Sequence, residues 1–299
     1  MTRERIGFIG VGMMGRGMAK NFVEKGHPLT ILGHRNRQPV DDLVKRGAGE
    51  AKSAEEIARA SDIVFLCVTG SAEVEALVRG PGGLKAGAHK GLIIVDTSTS
   101  DPNSTIALAR ELAPLGVALC DAPLGGTPAQ AEEGKLSTMV GCDESVWARL
   151  EPVFAAFAQK SVRVGDVGDG HKMKLMMNFL SMGYAAIYSE ALTLGARSGL
   201  TPQKIDSVMR GSRMDCGFYQ TFFSYVLDRN RDAHKFTLRN AMKDMNYLAS
   251  MALAAGTANP VGAAIRNYYA AAVAAGRGED YVPMLSDFVA EQNGVKLTK

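Results

Sequence analysis

The stretch IGFIGVGMMGRGMAKNF at the start of the chain constrains the fold more than any other segment. It carries the pattern Gly-x-Gly-x-x-Gly directly after a short apolar run and at the opening of an amphipathic segment. In a strand, loop and helix of this kind, the glycines permit a tight turn, close approach of a pyrophosphate to backbone N–H groups, and packing of the helix on the strand. The stretch therefore predicts a dinucleotide-binding loop. Its residues are Gly10, Gly12, Met13, Met14 and Gly15.

Short apolar runs alternate with amphipathic stretches as far as about residue 165. Near-continuous Val, Ile and Leu runs separated by helices are typical of a parallel sheet that is covered on both faces. The pattern predicts an α/β fold whose first domain, residues 1–165, is a doubly wound sheet of the Rossmann type. The predicted strands are 6–10, 29–32, 63–68, 92–96, 117–121, 137–141 and 162–165.

Beyond residue 168 the strand pattern stops and helical periodicity takes over. Pro202 and Pro260 follow Thr201 and Asn259, as is typical of proline at the first position of a helix. The sequence predicts an all-α C-terminal domain, residues 166–299, joined to the first domain by a long interdomain helix. The predicted helices are 171–197, 202–210, 216–228, 235–255, 260–274 and 282–292.

The segment after the second strand bears on the choice of cofactor. An enzyme that prefers NAD usually carries an acidic residue there to bind the adenosine ribose. Residues 27–40 contain no acid, whereas Arg35 and Arg37 lie just past the strand. Guanidinium groups bind phosphate through paired hydrogen bonds, so the segment predicts a preference for NADP, with NAD possible. Alternatively, both arginines belong to a solvated loop.

Two small-residue loops, VTGSAEV (68–74) and DTSTSDP (96–102), follow later strands. Both open at the carboxyl edge of a doubly wound sheet, where ligands bind. Ser71 is predicted to be an N-cap, and capping alone would explain such residue types. The predicted cofactor contacts in these loops are Val68, Thr69, Ser98 and Thr99.

One polar stripe runs along the predicted helix 171–197. His171, Lys174, Asn178 and Ser181 are spaced three or four residues apart on an otherwise apolar helix. The stripe could be an ordinary solvent face. Its place after the domain boundary favours a cleft instead, where desolvation lowers the pKa of a lysine toward working pH. We therefore predict that Lys174 is a proton donor and acceptor and that Asn178 holds the substrate oxygen.

Composition and charge exclude several classes of protein. With 34 basic and 31 acidic residues, the net charge of +3 does not predict nucleic-acid binding. The four cysteines lie far apart without metal-ligand spacing, so we expect buried reduced thiols, no metal site and a cytoplasmic protein. The N-terminus has no signal-peptide pattern, and the uncharged run 175–189 is shorter than the roughly 20 residues that span a membrane. We expect no membrane partner.

Five separated motifs together resemble the β-hydroxyacid dehydrogenase family, within the 6-phosphogluconate dehydrogenase superfamily. They are the glycine loop, DTST, DAPLGGTPAQAEEGKLSTMVG, GDVGDGHKMKLMMN and MKDMNYLASMALAAGTANP. The resemblance covers nearly the whole chain. The family includes 3-hydroxyisobutyrate dehydrogenase, tartronate semialdehyde reductase and the succinic semialdehyde and glyoxylate reductases. It implies an NAD(P)-dependent enzyme that interconverts a small 3-hydroxy acid and its semialdehyde.

The resemblance also implies roles for individual residues. Lys174 matches the catalytic lysine and Asn178 the substrate-holding asparagine. Lys243 matches a lysine on the nicotinamide side, and Ser98 and Thr99 match the loop beneath the nicotinamide. The segment 121–127 matches the substrate-binding loop. The residues expected to bind an acid group of the substrate there are Gly125, Gly126 and Thr127.

Three departures from the family pattern indicate a different substrate. The loop has Leu124 ahead of its two glycines and Thr127 after them, where the family usually has Ser-Gly-Gly. Met177 replaces a usual asparagine. The segment 211–222 places Arg213 and Asp215 where substrates are commonly recognised.

Other functions and the quaternary structure stay open at this point. Imine reductases share the fold, but Lys174 argues against that reaction, and a decarboxylating 6-phosphogluconate dehydrogenase has a longer C-terminal half. A non-catalytic nucleotide-binding module is the alternative from another class. The apolar surface of helices 171–197 and 235–274 predicts a homodimer or homotetramer.

Overall fold

The computed structural model describes residues 3–33 and 36–297. The chain forms two compact units, Met1–Lys174 and Leu175–Lys299. The first is an α/β unit built on a largely parallel sheet, and the second is helical, which confirms the predicted fold class. The division falls inside a long helix, later in the chain than the predicted domain boundary at residue 165.

One sheet forms the centre of the first unit. Its strand order is β3-β2-β1-β4-β5-β6-β8-β7, and β9 pairs with β8. The pairs from β3 to β6 are parallel, whereas β8 runs antiparallel to β6 and β7. The strands are β1 Ile6–Ile9, β2 Leu29–Leu32, β3 Gly49–Ala51, β4 Ile63–Leu66, β5 Ile93–Asp96, β6 Ala118–Asp121, β7 Leu124–Gly125, β8 Leu136–Gly141 and β9 Ala158–Gly165.

Helices cover both faces of this sheet, because β1, β4 and β5 are buried along their whole length and are apolar except for Asp96 at the end of β5. On one face Phe22 and Phe157 pack edge to face on each other and contact Phe65 of β4. The helices are α1 Gly15–Glu24, α2 Gln38–Lys45, α3 Ala54–Ala60, α4 Ser71–Arg79, α5 Pro102–Leu112, α6 Pro128–Glu132 and α7 Glu144–Phe154. Short 3-10 turns span Leu84–Gly87 and Ala113–Leu115.

Several bounds differ from the sequence prediction: β9 begins at Ala158 instead of residue 162, and the helix predicted from residue 235 begins at Leu238. β3 and β7 were not predicted because three and two residues are too few for an apolar alternation. The prediction that Ser71 is an N-cap is wrong. Gly70 occupies that position and Ser71 is the first residue of α4, where its hydroxyl accepts a hydrogen bond from the backbone N–H of Asp101 at 2.7 Å.

The second unit is built from helices. Thr201 and Asn259 cap helices that start at Pro202 and Pro260, as the sequence predicts. Stacked and edge-to-face aromatic rings from two helices fill much of the core, with Tyr188 packed on Tyr219. The helices are α8 Asp169–Arg197, which begins in the first unit, α9 Pro202–Met209, α10 Gly217–Asp228, α11 Leu238–Ala254, α12 Pro260–Ala272 and α13 Leu285–Gln292. Shorter turns span Arg231–Ala233, Val273–Arg277 and Val282–Met284.

The cysteines are free thiols in different surroundings. Cys120 and Cys142 are buried and Cys67 is half-buried. Cys216 is exposed, so the expectation that all four are buried is wrong for this residue. It caps α10, because its sulfur accepts a hydrogen bond from the backbone N–H of Tyr219. Within residues 3–33 and 36–297, no helix is long and apolar enough to cross a membrane.

Candidate active site

In the glycine loop, an added side chain would clash with the backbone at two of the glycines and would meet no atom at the third. Gly10 has a φ of 102°, and a Cβ there would overlap the carbonyl oxygen of Cys67. A Cβ on Gly15 would overlap the carbonyl of Gly10. Gly12 is exposed, and no atom lies within 4 Å of the place its Cβ would take. A closed turn with an open centre fits a pyrophosphate that contacts the backbone.

The start of α1 fits the same ligand. No side chain caps this helix, so the positive end of its dipole is open to an anion, although the N–H of Arg16 already donates to the carbonyl of Gly12 at 3.0 Å. Met14 occupies the N-cap position, and the side chain of Met13 is 58% exposed. Gly17 has a role that the sequence did not reveal, because a Cβ there would lie 2.6 Å from the backbone of Ala131 in α6. The glycine lets these two helices pack closely.

The end of β2 carries an ion-pair cluster. Arg35 lies outside the described residues. The guanidinium of Arg37 bonds Glu50 at 2.5 and 3.0 Å and Asp41 at 2.9 Å, and it lowers the pKa of Glu50. Glu50 belongs to β3, which pairs with β2. Residues 27–40 contain no acid, but the neighbouring strand β3 places Glu50 beside Arg37.

The loops after β4 and β5 are joined to each other. The backbone N–H of Val68 donates to the Ser98 hydroxyl oxygen at 3.0 Å, and the N–H of Ser98 donates to Asp96 at 2.9 Å. Ser98 is therefore buried within the protein's own hydrogen bonds. Thr99 is half-buried and Thr69 is exposed, so these two side chains have more room to meet a ligand.

The segment 124–127 is a strand end followed by a capped helix. Gly125 pairs with Ser137 of β8, and Gly126 has a φ of 127°. Thr127 forms a capping box with Gln130: its hydroxyl accepts from the Gln130 N–H at 3.3 Å, and its own N–H donates to the Gln130 side chain at 2.9 Å. The hydroxyl of Thr127 is exposed and keeps its own hydrogen for another acceptor.

A buried polar network holds the start of α8. His171 is fully buried, with Nε2 3.2 Å from the carbonyl of Ser98 and Nδ1 2.8 Å from the Thr105 hydroxyl. A carbonyl only accepts, so Nε2 donates to Ser98, and Nδ1 shares a hydrogen bond with the Thr105 hydroxyl. Asp121 accepts from the backbone N–H groups of Gly168 and His171 at 2.7 Å, and burial raises its pKa. The network ties the loop after β5 to the helix that carries Lys174.

The two faces of α8 decide between the interpretations of its polar stripe. His171 and Asn178 are buried, and Lys174 and Ser181 are half-buried. The exposed side is apolar instead, with Met176, Met177 and Leu180 exposed by 45%, 49% and 56%. The polar stripe is therefore the protected face of the helix, and the hypothesis of a solvent face is wrong.

In the second unit, the predicted residues Asn178 and Lys243 both contact Asp244, which the sequence did not predict. The Asn178 amide donates to Asp244 Oδ2 at 2.6 Å, and Lys243 Nζ lies 2.8 Å from Asp244 Oδ1. Lys243 also lies over the ring of Tyr247, 4.7 Å from its centre. Asp244 is fully buried. The only sequence signal for it is an acidic residue within the apolar pattern of α11.

Arg213 and Asp215 lie on the loop between α9 and α10. Asp215 accepts from the N–H of Gly211 at 2.8 Å and from the side chain of Gln220 at 3.0 Å, so it shapes the loop. Arg213 is exposed. Their predicted role in substrate recognition stays a prediction.

Comparisons with known proteins cover both units. Residues 5–165 match the family described as the NAD binding domain of 6-phosphogluconate dehydrogenase. Residues 168–286 match the family described as NAD-binding of NADP-dependent 3-hydroxyisobutyrate dehydrogenase. The chain is similar to 2-(hydroxymethyl)glutarate dehydrogenase of Eubacterium barkeri, with 35% identity over 69% of this chain and 68% of that protein.

Two further similarities agree with these matches. One is to 2-hydroxy-3-oxopropionate reductase of Escherichia coli (strain K12), with 36% identity over 69% of this chain and 70% of that protein. The other is to the crystal structure of 3-hydroxyisobutyrate dehydrogenase from Salmonella typhimurium, with 25% identity, a TM-score of 0.83, and coverage of 95% of this chain and 99% of that one. With the open glycine loop and the helical second unit, these matches show that the chain belongs to the β-hydroxyacid dehydrogenase family of NAD(P)-dependent oxidoreductases.

Proposed function

We propose that this protein interconverts a small 3-hydroxy acid and its semialdehyde, with Lys174 as the general acid and base and NADP as the preferred cofactor. The observation that carries the proposal is the protected polar face of α8. Lys174 and Asn178 lie one helical turn apart on that face, while apolar side chains occupy the exposed one.

The glycine loop and the start of α1 are the parts that would hold the cofactor pyrophosphate. A bound nicotinamide supplies or accepts the hydride. In the direction of reduction, the ammonium of Lys174 donates a proton to the substrate oxygen as the carbonyl becomes a hydroxyl. In the direction of oxidation, the neutral amine of Lys174 accepts that proton.

The other side chains hold the substrate. The Asn178 amide holds the reacting oxygen without competing for its proton. Gly125 and Gly126 allow close backbone approach, and the Thr127 hydroxyl can donate to a carboxylate of the substrate. By the family resemblance, the Lys243 ammonium holds an anion or the cofactor amide. An acid group on the substrate therefore agrees with the hydroxy-acid names of the relatives.

Replacement of Lys174 tests the catalytic role. We expect Lys174→Ala to lower kcat by about 10²–10⁴-fold and to leave the affinity for NADPH nearly unchanged, because the amine acts on the proton. The control is Lys172→Ala, which removes a lysine that is 46% exposed and paired with Asp169 on the same helix. Turnover of the Lys174 variant within threefold of wild type would show that Lys174 is not the general acid and base.

Steady-state assays test the substrate class. We expect NAD(P)H oxidation with at least one of glyoxylate, succinic semialdehyde, tartronate semialdehyde, methylmalonate semialdehyde and sulfolactaldehyde. Activity with cyclic imines and none with these aldehydes would favour the imine reductase instead. Absence of turnover with both groups, together with NADPH binding, would favour the non-catalytic module.

The preference for NADP rests on the arginines after β2. Arg37 is already paired with Glu50 and Asp41, so a 2′-phosphate would have to share its guanidinium with them. We expect Arg35→Ala with Arg37→Ala to weaken NADPH binding at least tenfold with little change for NADH. We expect Glu50→Gln to strengthen NADPH binding. Unchanged NADPH affinity in the double variant would show that these arginines do not bind the phosphate.

We also propose a homodimer or homotetramer that buries the exposed face of α8. Leu180, Ile187 and Leu194 are exposed by 56%, 61% and 69%. Beside them, α8, α12 and α13 line an apolar groove of about 700 Å³ that includes Tyr268 and Phe288. Sedimentation should give an oligomer, and Leu180→Glu with Ile187→Glu should shift it toward the monomer. A monomeric wild-type protein at micromolar concentration would contradict the proposal.

A further inference from the structure

Asp244 carries a buried carboxylate whose two oxygens have different partners. Oδ2 lies 2.6 Å from the side-chain nitrogen of Asn178, and Oδ1 lies 2.8 Å from Nζ of Lys243. The carboxylate is fully buried, whereas the Lys243 side chain keeps 20% of its exposure. A charge that is removed from water in this way is tolerated only with such partners.

The bond to Asp244 determines the orientation of the Asn178 amide. An ionised carboxylate accepts hydrogen bonds and cannot donate them, so the amide must turn its NH₂ group toward Asp244. The carbonyl oxygen of Asn178 then faces away from the carboxylate. The second hydrogen of the NH₂ group can then be donated to the substrate oxygen, which leaves the proton of a hydroxyl for Lys174. Without Asp244, the amide could flip and present the wrong atom.

The ion pair with Asp244 limits the movement of Lys243. This ion pair and the ring of Tyr247 together hold an otherwise flexible side chain. Asp244 therefore sets the spacing between an amide N–H that can donate to the substrate oxygen and an ammonium whose charge suits a carboxylate.

We propose that Asp244 is a positioning residue that acts through Asn178 and Lys243 to select substrates carrying both a hydroxyl and a carboxylate. This inference rests on the proposed function, since it concerns how the substrate oxygen is held. Asp244 itself does not contact the reacting atoms.

A double-mutant cycle tests whether Asp244 acts through Asn178. We expect Asp244→Asn to lower kcat/KM by about 10–100-fold in the wild type and by a clearly smaller factor when Asn178 is already alanine, where only the effect through Lys243 is left. A merely structural role would give the same loss in both backgrounds. The matched control is Asp287→Asn, because Asp287 is another acid of the second unit, partly buried and bonded to Tyr225 and Arg229. Its kcat/KM should stay within twofold of wild type.

A measurement on the protein without substrate separates this inference from the proposed function. The side-chain amide signals of Asn178, labelled with ¹⁵N and identified by their loss in Asn178→Ala, should shift in Asp244→Asn and not in Asp287→Asn. If Asp244→Asn does not fold, Asp244→Glu keeps the charge and displaces it by one methylene. That variant should shift the same signals and lower kcat.

The outcomes are distinguishable. Full activity in Asp244→Asn, or an equal loss in both backgrounds, overturns the role of Asp244 while Lys174→Ala still tests the catalytic lysine. Unchanged Asn178 amide signals also overturn it. If Lys174→Ala and Asn178→Ala both keep wild-type turnover, the proposed function fails and the inference fails with it, even where the amide signals shift.

Discussion

The glycine loop of the first unit and the Asn178–Asp244–Lys243 cluster of the second are built in different ways. The loop depends on its backbone and on three positions without a side chain. These three glycines lie within six consecutive residues, Gly10 to Gly15. The cluster consists of side chains from α8 and α11, which are distant in sequence. A loop of the first kind is visible in sequence, whereas a cluster of the second kind depends on how helices pack.

The largest expected effect concerns the backbone of the loop. Gly10→Val places a branched side chain at a φ of 102° and against the carbonyl of Cys67. We expect it to lower the free energy of unfolding by at least about 2 kcal/mol and to abolish measurable NADPH binding. Thermal unfolding and quenching of NADPH fluorescence measure these two effects.

Gly12→Ala is the matched control for that experiment. A Cβ at Gly12 meets no atom within 4 Å, so the free energy of unfolding should change by less than about 1 kcal/mol. NADPH binding should still weaken, because the methyl group takes the space over which a pyrophosphate would lie. Unweakened binding in Gly12→Ala would show that the loop does not hold the cofactor in this way.

An intermediate effect is expected at His171, where side chains support a backbone loop. His171→Leu leaves the Ser98 carbonyl and the Thr105 hydroxyl without their buried partner. We expect the free energy of unfolding to fall by about 1–3 kcal/mol. The KM for NADPH should rise more than in Thr105→Val, which removes one of the two bonds. Equal KM values for NADPH in the two variants would show that the bond from His171 to Ser98 does not support cofactor binding.

The smallest effect is expected at Thr127, where one side chain serves a helix cap. Thr127→Ala removes the capping box of α6 and should cost about 1 kcal/mol, whereas Thr127→Ser should cost little. If the hydroxyl also binds substrate, the KM for the aldehyde should rise in the alanine variant alone. A rise in the serine variant as well would point to the methyl group instead.

Local patterns explain which parts of the structure could be predicted. Seven of the strands follow apolar runs, and the glycine loop, Pro202 and Pro260 lie where the sequence places them. β3 is too short to show a pattern, so Glu50 and its pairing with Arg37 were not foreseen. Sequence distance does not show which strands become neighbours.

The site in the second unit shows the same limit. Helical spacing predicts Asn178, and the family resemblance adds Lys243. Asp244 was not predicted, because an acid beside a lysine usually indicates a solvated face, whereas here the acid is buried and bonded to Asn178. His171 was placed on the polar stripe, but its bonds to Ser98 and Thr105 join residues that the sequence separates widely.

Helix α8 carries Lys174 and Asn178 on one uninterrupted backbone, with about 6 Å of axial rise between them. The helix fixes the axial distance between the two residues, because that distance cannot change unless the backbone hydrogen bonds of the helix break. Under the proposed function, a substrate of different length would have to be accommodated by residues outside this helix.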